Sequence, residues 1–160
     1  MTAKKKPKNA PSQEEITAFS ELVRRVQLND IQLLCAEVHG QREFVGAHGA
    51  VDGAIEVALN IESKGSLVET PPSIRCDVMI QWQGFSPGGQ EPLVRVKETY
   101  LVCYGLSDNA SVSQEMLKVF AENNATFNVW PFFRQSLHGT TLRMGLPAYS
   151  LPLLKPMAND

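Results

Sequence analysis

The sequence is poor in the residues that most enzyme and metal sites require. Its three cysteines, Cys35, Cys76 and Cys103, include no CxxC pair, and an odd number argues against both a disulfide framework and a zinc knuckle. The three histidines are far apart and fall on different predicted elements. No phosphate-binding motif of the GxxxxGK or GxGxxG type is present. The sequence therefore predicts no catalytic residue, no bound metal and no cofactor.

Long apolar runs and a strong net charge are also lacking. No run approaches the roughly 18 residues that a membrane-spanning helix needs, and no apolar stretch follows the N-terminus as in a secretory signal. The formal net charge of −2 gives no overall attraction to nucleic acid. The lysines within residues 4–8 predict a disordered, solvated arm over 1–11. We therefore expect a cytoplasmic protein that neither inserts into membranes nor binds nucleic acid.

What is present is the composition of a globular protein, with 43% apolar and 20% charged residues. A chain of 160 residues can bury about 70% of the surface that it exposes when unfolded. These figures predict a single domain over 12–156, followed by a flexible C-terminus at 157–160.

The first ordered segment is predicted to be an amphipathic helix over 12–28. Ser12 and Glu15 have the spacing of a capping box, in which each side chain accepts a hydrogen bond from the backbone N–H of the other residue. Apolar residues then recur at steps of three and four, as Ile16, Phe19, Val23 and Val26. Asn29–Asp30 is expected to end this helix.

Four segments with apolar residues at every second position predict β-strands, at about 31–39, 54–63, 73–82 and 93–104. Because their connections leave no room for crossover helices, the strands must pair in an antiparallel sheet within 31–104. The connection over 40–53 is long and contains Phe44 and Val45, two apolar residues for which a solvated loop has no need. They are either anchors of the loop or part of a binding surface.

The C-terminal part, over 111–145, is predicted to be helical. A short helix ends at Asn123–Asn124, and a longer one carries Pro131 in its first turn, where the missing N–H is no loss. Gly145 ends that helix, and 146–156 is proline-rich and extended. The predicted fold class is therefore α+β: a four-stranded antiparallel sheet with one long C-terminal helix packed on it and an additional N-terminal helix.

The segment Phe127–Arg134, closed by Arg143–Pro147, resembles the long helix of SecB chaperones. In that family an aromatic or apolar residue precedes Pro, two apolar residues and Arg, and the helix stops before a Pro-Leu loop. The resemblance covers about 29–156. It implies a SecB-like fold, a homotetramer built as a dimer of dimers, and ATP-independent holdase activity toward unfolded or nascent polypeptides. Clients would be held in apolar grooves by burial of apolar surface.

The resemblance also implies positions for both kinds of contact. The expected client contacts are Phe44, Val45, Trp82, Trp130 and Phe132. The expected contacts between subunits are Val94, Val96 and Glu98 on the last strand. Trp130 and Phe132 have a second interpretation, as core residues that fix the helix to the sheet.

The type of client determines which other protein the chaperone would contact. Preproteins imply the translocase motor as a partner, whereas the SecB-like chaperones of toxin–antitoxin systems bind an antitoxin. The sequence lacks the second helix and the acidic tail by which SecB proteins reach the motor, and a helix precedes its first strand. These departures favour an antitoxin as the client.

Two other functions stay open on the sequence. One is a small-molecule enzyme or carrier of the hot-dog type, in which an antiparallel sheet wraps a long helix, and the other is a plain assembly subunit. A hot-dog enzyme needs a polar group at the start of that helix to polarise a carbonyl. The segment Trp130–Phe133 offers none.

Overall fold

The computed structural model of the protein describes residues 13–41, 55–107 and 112–154. Its helices are α1 (Gln13–Arg25), α2 (Gln114–Phe120) and α3 (Thr126–Arg143), and a π-helical turn (Ala121–Ala125) joins the last two. Its strands are β1 (Val26–Gly40), β2 (Glu56–Val68), β3 (Ser73–Phe85) and β4 (Pro92–Leu106). The predicted fold class is confirmed, with one antiparallel sheet, a long C-terminal helix and a helix before the first strand.

The sheet has the strand order β1-β4-β3-β2, and every pair of neighbours is antiparallel. The first strand along the chain therefore pairs with the last, and β1 and β2 form the two edges. Residues opposite one another in the register lie on the same face of the sheet. One such row runs across the sheet through Leu59, Trp82, Val96 and Val38.

β1 begins where α1 ends, without a connecting loop. The expected end of the helix at Asn29–Asp30 is wrong, because Val26 is already paired with Leu106 of β4. Valine is β-branched and suits a strand at least as well as the face of a helix. Val26 is part of the strand and not of the helix because it pairs with β4, and sequence periodicity does not reveal that pairing.

β2 continues to Val68, past its predicted end at Ser63. Its apolar alternation is broken at Gly65, where α2 crosses the sheet. A Cβ atom on Gly65 would lie 2.6 Å from the backbone oxygen of Leu117, so glycine is required for this close approach.

The core lies between the helices and one face of the sheet. On β3 and β4 the buried side chains alternate with exposed or half-buried ones. The buried set comprises Ile74, Cys76, Val78, Ile80 and Trp82 on β3, and Val94, Val96, Glu98, Tyr100, Val102 and Tyr104 on β4. The helices cover them with Leu22, Leu117, Phe120, Val129, Trp130, Phe133 and Leu137. Fully burying one such large apolar side chain stabilises the fold by about 1.5–3 kcal/mol.

The helical part is continuous from α2 through the π-helical turn into α3. The expected break at Asn123–Asn124 is therefore wrong: the Asn123 amide donates to the Val119 carbonyl at 2.8 Å, which satisfies the side chain inside the helix. Pro131 also lies inside α3 and not in its first turn. Pro131 has no N–H to donate to the carbonyl of Phe127, a residue that is 47% exposed.

α3 ends as its sequence predicts. Gly145 has φ of +74°, its N–H bonds to the Leu142 carbonyl, and the Leu146 N–H bonds to the Thr141 carbonyl, both at 3.0 Å. This pair of hydrogen bonds is a Schellman motif, which turns the chain back along the helix. Among the described residues, no helix is both long and apolar enough to cross a membrane.

Candidate functional site

α3 covers the two middle strands and leaves both edge strands partly uncovered on the same face of the sheet. On one side of α3 we define the β1 flank as Leu28, Leu33 and Val38 of β1 together with Phe132 of α3. Their register partners, Tyr104, Tyr100 and Val96, are all buried, so the three β1 side chains belong to the core face. Each member of the flank is nevertheless 44–52% exposed.

On the other side of α3 we define the β2 flank as Val57 and Leu59 of β2, Trp82 of β3 and Trp130 of α3. Leu59 is the register partner of Trp82. Val57 and Leu59 are 46% and 43% exposed, whereas Trp82 and Trp130 are buried. The two flanks are therefore apolar stripes that follow the two sides of the same helix.

The β1 flank contains an open recess of about 350 Å³ between β1 and α3. It is lined by Leu33, Tyr100, Phe132, Gln135, Ser136, Gly139 and Arg143. Its volume is at the lower end for small-molecule sites, but such sites enclose most of their ligand. A recess with half-exposed walls instead fits a side chain that projects from another polypeptide.

A buried carboxylate lies at the inner edge of this recess. Glu98 of β4 accepts one hydrogen bond from the Tyr100 hydroxyl and another from the Ser136 hydroxyl of α3. Burial, followed by the hydrogen bond to Glu98, raises the pKa of Tyr100 far above its ordinary value, so the phenol stays protonated as a donor. The bond from Ser136 fixes α3 to β4, whereas the bond from Tyr100 lies within β4.

The structure corrects the expected interface between subunits. The side chains of Val94, Val96 and Glu98 are at most 2% exposed, because α3 of the same subunit covers them. The alternation along β4 was predicted correctly, but it does not reveal which face of the strand is covered, since Leu93 and Leu101 on the opposite face are apolar as well. These three residues belong to the core, and contacts between subunits have to be sought elsewhere.

Trp82 and Trp130, two of the expected client contacts, lie on the β2 side of α3 but are only 2% and 3% exposed. Trp130 therefore fits its second interpretation as a core residue, and a client would reach both indoles only where something else now covers them. Phe132 lies on the opposite side of α3 and is 50% exposed. Phe44 and Val45 lie outside the described residues and stay predictions, as does the capping box at Ser12.

The tail, which we define as residues 146–154, covers the two tryptophans. It runs back along α3 without regular secondary structure, and its residues from Tyr149 to Pro152 contact Thr141, His138, Arg134 and Trp130 in turn. Four consecutive tail residues thus follow about three turns of the helix, which indicates an extended chain. The Tyr149 ring packs against Trp82 with the ring centroids 5.0 Å apart, and Leu151 is 4% exposed. The Trp130 Nε1 donates to the Pro152 carbonyl at 2.9 Å, and the Arg134 Nε donates to the Leu151 carbonyl at 2.6 Å. Sequence reasoning missed these contacts, since neither donor follows from periodicity.

One catalytic spacing was also missed, because Gly84-Phe85-Ser86-Pro87-Gly88 fits the GxSxG pattern of hydrolases. In those enzymes the serine lies on a sharp turn from a strand into a helix. Here Ser86 lies in a tight turn between β3 and β4, closed by a 2.8 Å bond from the Gly89 N–H to the Ser86 carbonyl, with φ of +69° at Gly88. Among the described residues, no cluster of His, Cys, Asp or Glu could hold a metal ion.

Comparison with known proteins places the fold. No protein-family model and no curated protein matches the sequence. The SecB-like chaperone Rv1957 of Mycobacterium tuberculosis, solved in complex with a ChAD peptide from the antitoxin Rv1956 HigA1, matches with a TM-score of 0.75 and 18% identity over 88% of this chain and 99% of that chain. A protein of unknown function from Streptococcus agalactiae matches with a TM-score of 0.43 and 10% identity, over 80% and 97% of the two chains. The first match shows that this chain has the SecB-like fold.

Proposed function

We propose that the protein is an ATP-independent holdase chaperone, which binds extended segments of unfolded polypeptide beside α3 and performs no covalent chemistry. The observation that carries the proposal is the pair of apolar flanks on the core face of the sheet. Half-exposed Leu, Val and Phe side chains are continuous there with the core, whereas soluble monomers rarely leave apolar patches of more than a few hundred Å² uncovered. Such stripes suit partners that bring apolar side chains without a fixed sequence.

Burial of apolar surface alone can supply the affinity. At about 25 cal/mol per Å² of apolar surface, a few side chains that become buried on each partner offset the cost of ordering an extended segment. The two flanks differ in the partner that they suit, and we assign the client to the β2 flank. There the expected contact Trp82 is the register partner of the exposed Leu59, and the expected contact Trp130 lies on the same side of α3.

We assign the β1 flank to a second copy of the chain. β1 is an edge strand of 15 residues, and its Leu28, Leu33, Leu34 and Val38 side chains are 44–55% exposed. A long apolar edge without proline or lysine is a template for pairing with another strand, and closed two-fold symmetry is the commonest way to cover it. Phe127 and Leu142, which are exposed on α3, are available to join two such dimers into the expected tetramer.

The fold neighbour supports a particular class of client. Rv1957 was solved with a peptide from an antitoxin, so an antitoxin segment is the client that we favour over a preprotein. We place this activity in the cytoplasm and propose no role for the translocase motor. The cysteines are free, and burial raises the pKa of Cys76 to about 12, so that thiol is inert in a reducing compartment.

The test is the suppression of aggregation of a chemically unfolded model protein, followed by light scattering. We expect near-stoichiometric amounts of the chaperone subunit to suppress scattering without ATP, and extensive chelation to leave that activity unchanged. Equal scattering with and without the protein would contradict the proposal. Hydrolysis of acyl thioesters under the same conditions would instead favour the hot-dog type of enzyme.

A further inference from the structure

The tail is bound to the β2 flank in the manner that a client would need. Two of its backbone carbonyls, those of Leu151 and Pro152, accept hydrogen bonds from the side chains of Arg134 and Trp130. Backbone carbonyls are present in every polypeptide, so these donors recognise an extended chain and not a particular sequence. The tail thus shows that the flank can hold an extended peptide.

The apolar contacts of the tail define two positions along such a peptide. The Tyr149 ring packs on Trp82, and Leu151, two residues later, is almost fully buried. Side chains two residues apart in an extended chain point the same way. Ser150, between them, is exposed, and Leu153 is 72% exposed. The surface therefore selects an aromatic residue, a spacer and a leucine, followed here by proline.

The tail is held in a way that permits exchange. Among the described residues, the backbone N–H groups of the tail after Leu146 make one hydrogen bond, from Tyr149 to the Thr141 hydroxyl at 3.1 Å. Besides the two carbonyl contacts with Arg134 and Trp130, the tail has an exposed contact between the Ser150 hydroxyl and the His138 Nδ1, also at 3.1 Å. No strand pairing has to be broken for the tail to leave.

The tail also leaves one buried polar group of the β2 flank without a hydrogen bond. Within the described residues, the Trp82 Nε1 is buried without a hydrogen-bond acceptor, although buried indole N–H groups usually have one. The tail thus satisfies the indole N–H of Trp130 and leaves that of Trp82 unsatisfied. A bound segment that runs closer to β2 would bring an acceptor to Trp82, which gives it an interaction that the tail lacks.

We propose that the tail is an intramolecular stand-in for the client, and that a client segment containing an aromatic residue two positions before a leucine binds by displacing it. The inference rests on the proposed holdase function and deepens it, because it names the recognition pattern and the competitor. Tail binding sets a threshold: only segments that outcompete residues 146–154 are held. The uncovered β1 flank has no such competitor within the described residues.

The test compares two leucines of the same tail, with a reduced, carboxymethylated α-lactalbumin as a permanently unfolded client. Leu151→Ser removes the buried anchor and should tighten client binding at least tenfold, because the competitor is weakened. The matched control, Leu153→Ser, removes a leucine that is already exposed and should change affinity less than twofold. Circular dichroism establishes that both variants are folded. Unchanged or weaker client binding by folded Leu151→Ser would overturn the inference, since the tail would then be a permanent part of the binding surface and not a competitor.

A second arm uses the unmodified protein and so does not depend on the folding of a variant. A synthetic peptide with the sequence of residues 146–154, LPAYSLPLL, should compete with the unfolded client. The same peptide with serine at the position of Leu151 should compete at least tenfold less well. Equal competition by both peptides, or by neither while the client still binds, would overturn the inference and leave the holdase function standing. Absence of client binding to every form would overturn both.

Discussion

The two flanks of α3 both consist of apolar side chains from an edge strand and from α3, and they differ in what covers them. Each is an edge strand that presents apolar side chains on the core face, next to a helix that is too narrow to reach it. Beside β2, the chain turns back at Gly145 and covers Trp82 and Trp130 with its own tail. Beside β1, Leu33 and Phe132 line an open recess. We propose that the flank covered by the tail binds a transient client and that the uncovered edge strand binds a permanent partner.

The apolar residues on the core face of the sheet fall into two groups, those buried within the subunit and those left partly exposed. Val96 and Val38 are register partners on adjacent strands, yet their exposed fractions are 0% and 49%. The former belongs to the core, and the latter to the β1 flank. Substitutions at such matched positions separate folding from assembly and from client binding.

The largest expected effect is the loss of folding stability on substitution of Val96. In Val96→Asp a carboxylate would be buried beneath α3 without a partner, which should cost more than about 4 kcal/mol of folding free energy. Circular dichroism and thermal melting should show an unfolded or barely folded chain. The matched variant Val38→Asp should stay folded, because the carboxylate reaches water. A folded Val96→Asp with an altered oligomeric state would restore the original assignment of this residue to an interface.

The next effect is expected on assembly. Leu33→Asp introduces like charges that face one another across a two-fold interface at β1, so the assembly should dissociate while the subunit stays folded. Light scattering coupled to size-exclusion chromatography measures this at micromolar concentration. Gln32→Asp, on the opposite face of β1, serves as the control and should leave the mass unchanged. If the unmodified protein is itself a stable monomer, the assignment of the β1 flank to a second copy is wrong.

A smaller effect is expected on client affinity at the β2 flank. The double variant Val57→Ser and Leu59→Ser removes two half-exposed apolar contacts. It should weaken binding of an unfolded polypeptide about tenfold, which corresponds to about 1.4 kcal/mol. Mass and melting temperature should not change. Ala58→Ser, on the other face of β2, is the control, and an equal loss of affinity there would indicate that clients bind the open face of the sheet.

The smallest effect concerns the polar contact at the edge of the recess. Ser136→Ala removes one hydrogen bond to Glu98 and should lower the free energy of unfolding by about 1–1.5 kcal/mol. For a chain of this size that lowers the melting temperature by roughly 2–4 °C. Gln135→Ala, at an exposed position beside it, should have little effect. No difference between the two variants would mean that the contact does not hold α3 on the sheet.

The fold could be predicted further from the sequence than the site could. Burial of one face of a sheet imposes a two-residue period, and that period located all four strands. Periodicity does not locate the end of an element where the residue suits both a helix and a strand, as Val26 does. It also predicts a false helix end at Asn123, whose side chain hydrogen-bonds within the helix. Periodicity also marks the two faces of β4 without identifying the covered one. Val94, Val96 and Glu98, which the resemblance to SecB chaperones assigned to a contact between subunits, are buried in the core of the subunit.

The tail shows why site contacts are harder to predict. Its proline-rich sequence indicates an extended segment, but the donors that hold it, Arg134 and Trp130, bond to backbone carbonyls that leave no mark in the sequence. The resemblance to SecB chaperones directed attention to Trp82 and Trp130, and it could not reveal that the chain itself covers them. The role of Phe44 and Val45 in client binding stays a prediction.

The most direct test of the central claim is site-specific photo-crosslinking at two adjacent residues of β2. Leu59 belongs to the β2 flank, whereas Asn60 is exposed on the opposite face of the sheet. A benzophenone amino acid at position 59 should crosslink to an unfolded polypeptide, and an excess of unlabelled client should suppress the crosslink. The same group at position 60 should give little product. Equal crosslinking at both positions, or none at position 59 when aggregation is suppressed, would contradict the account.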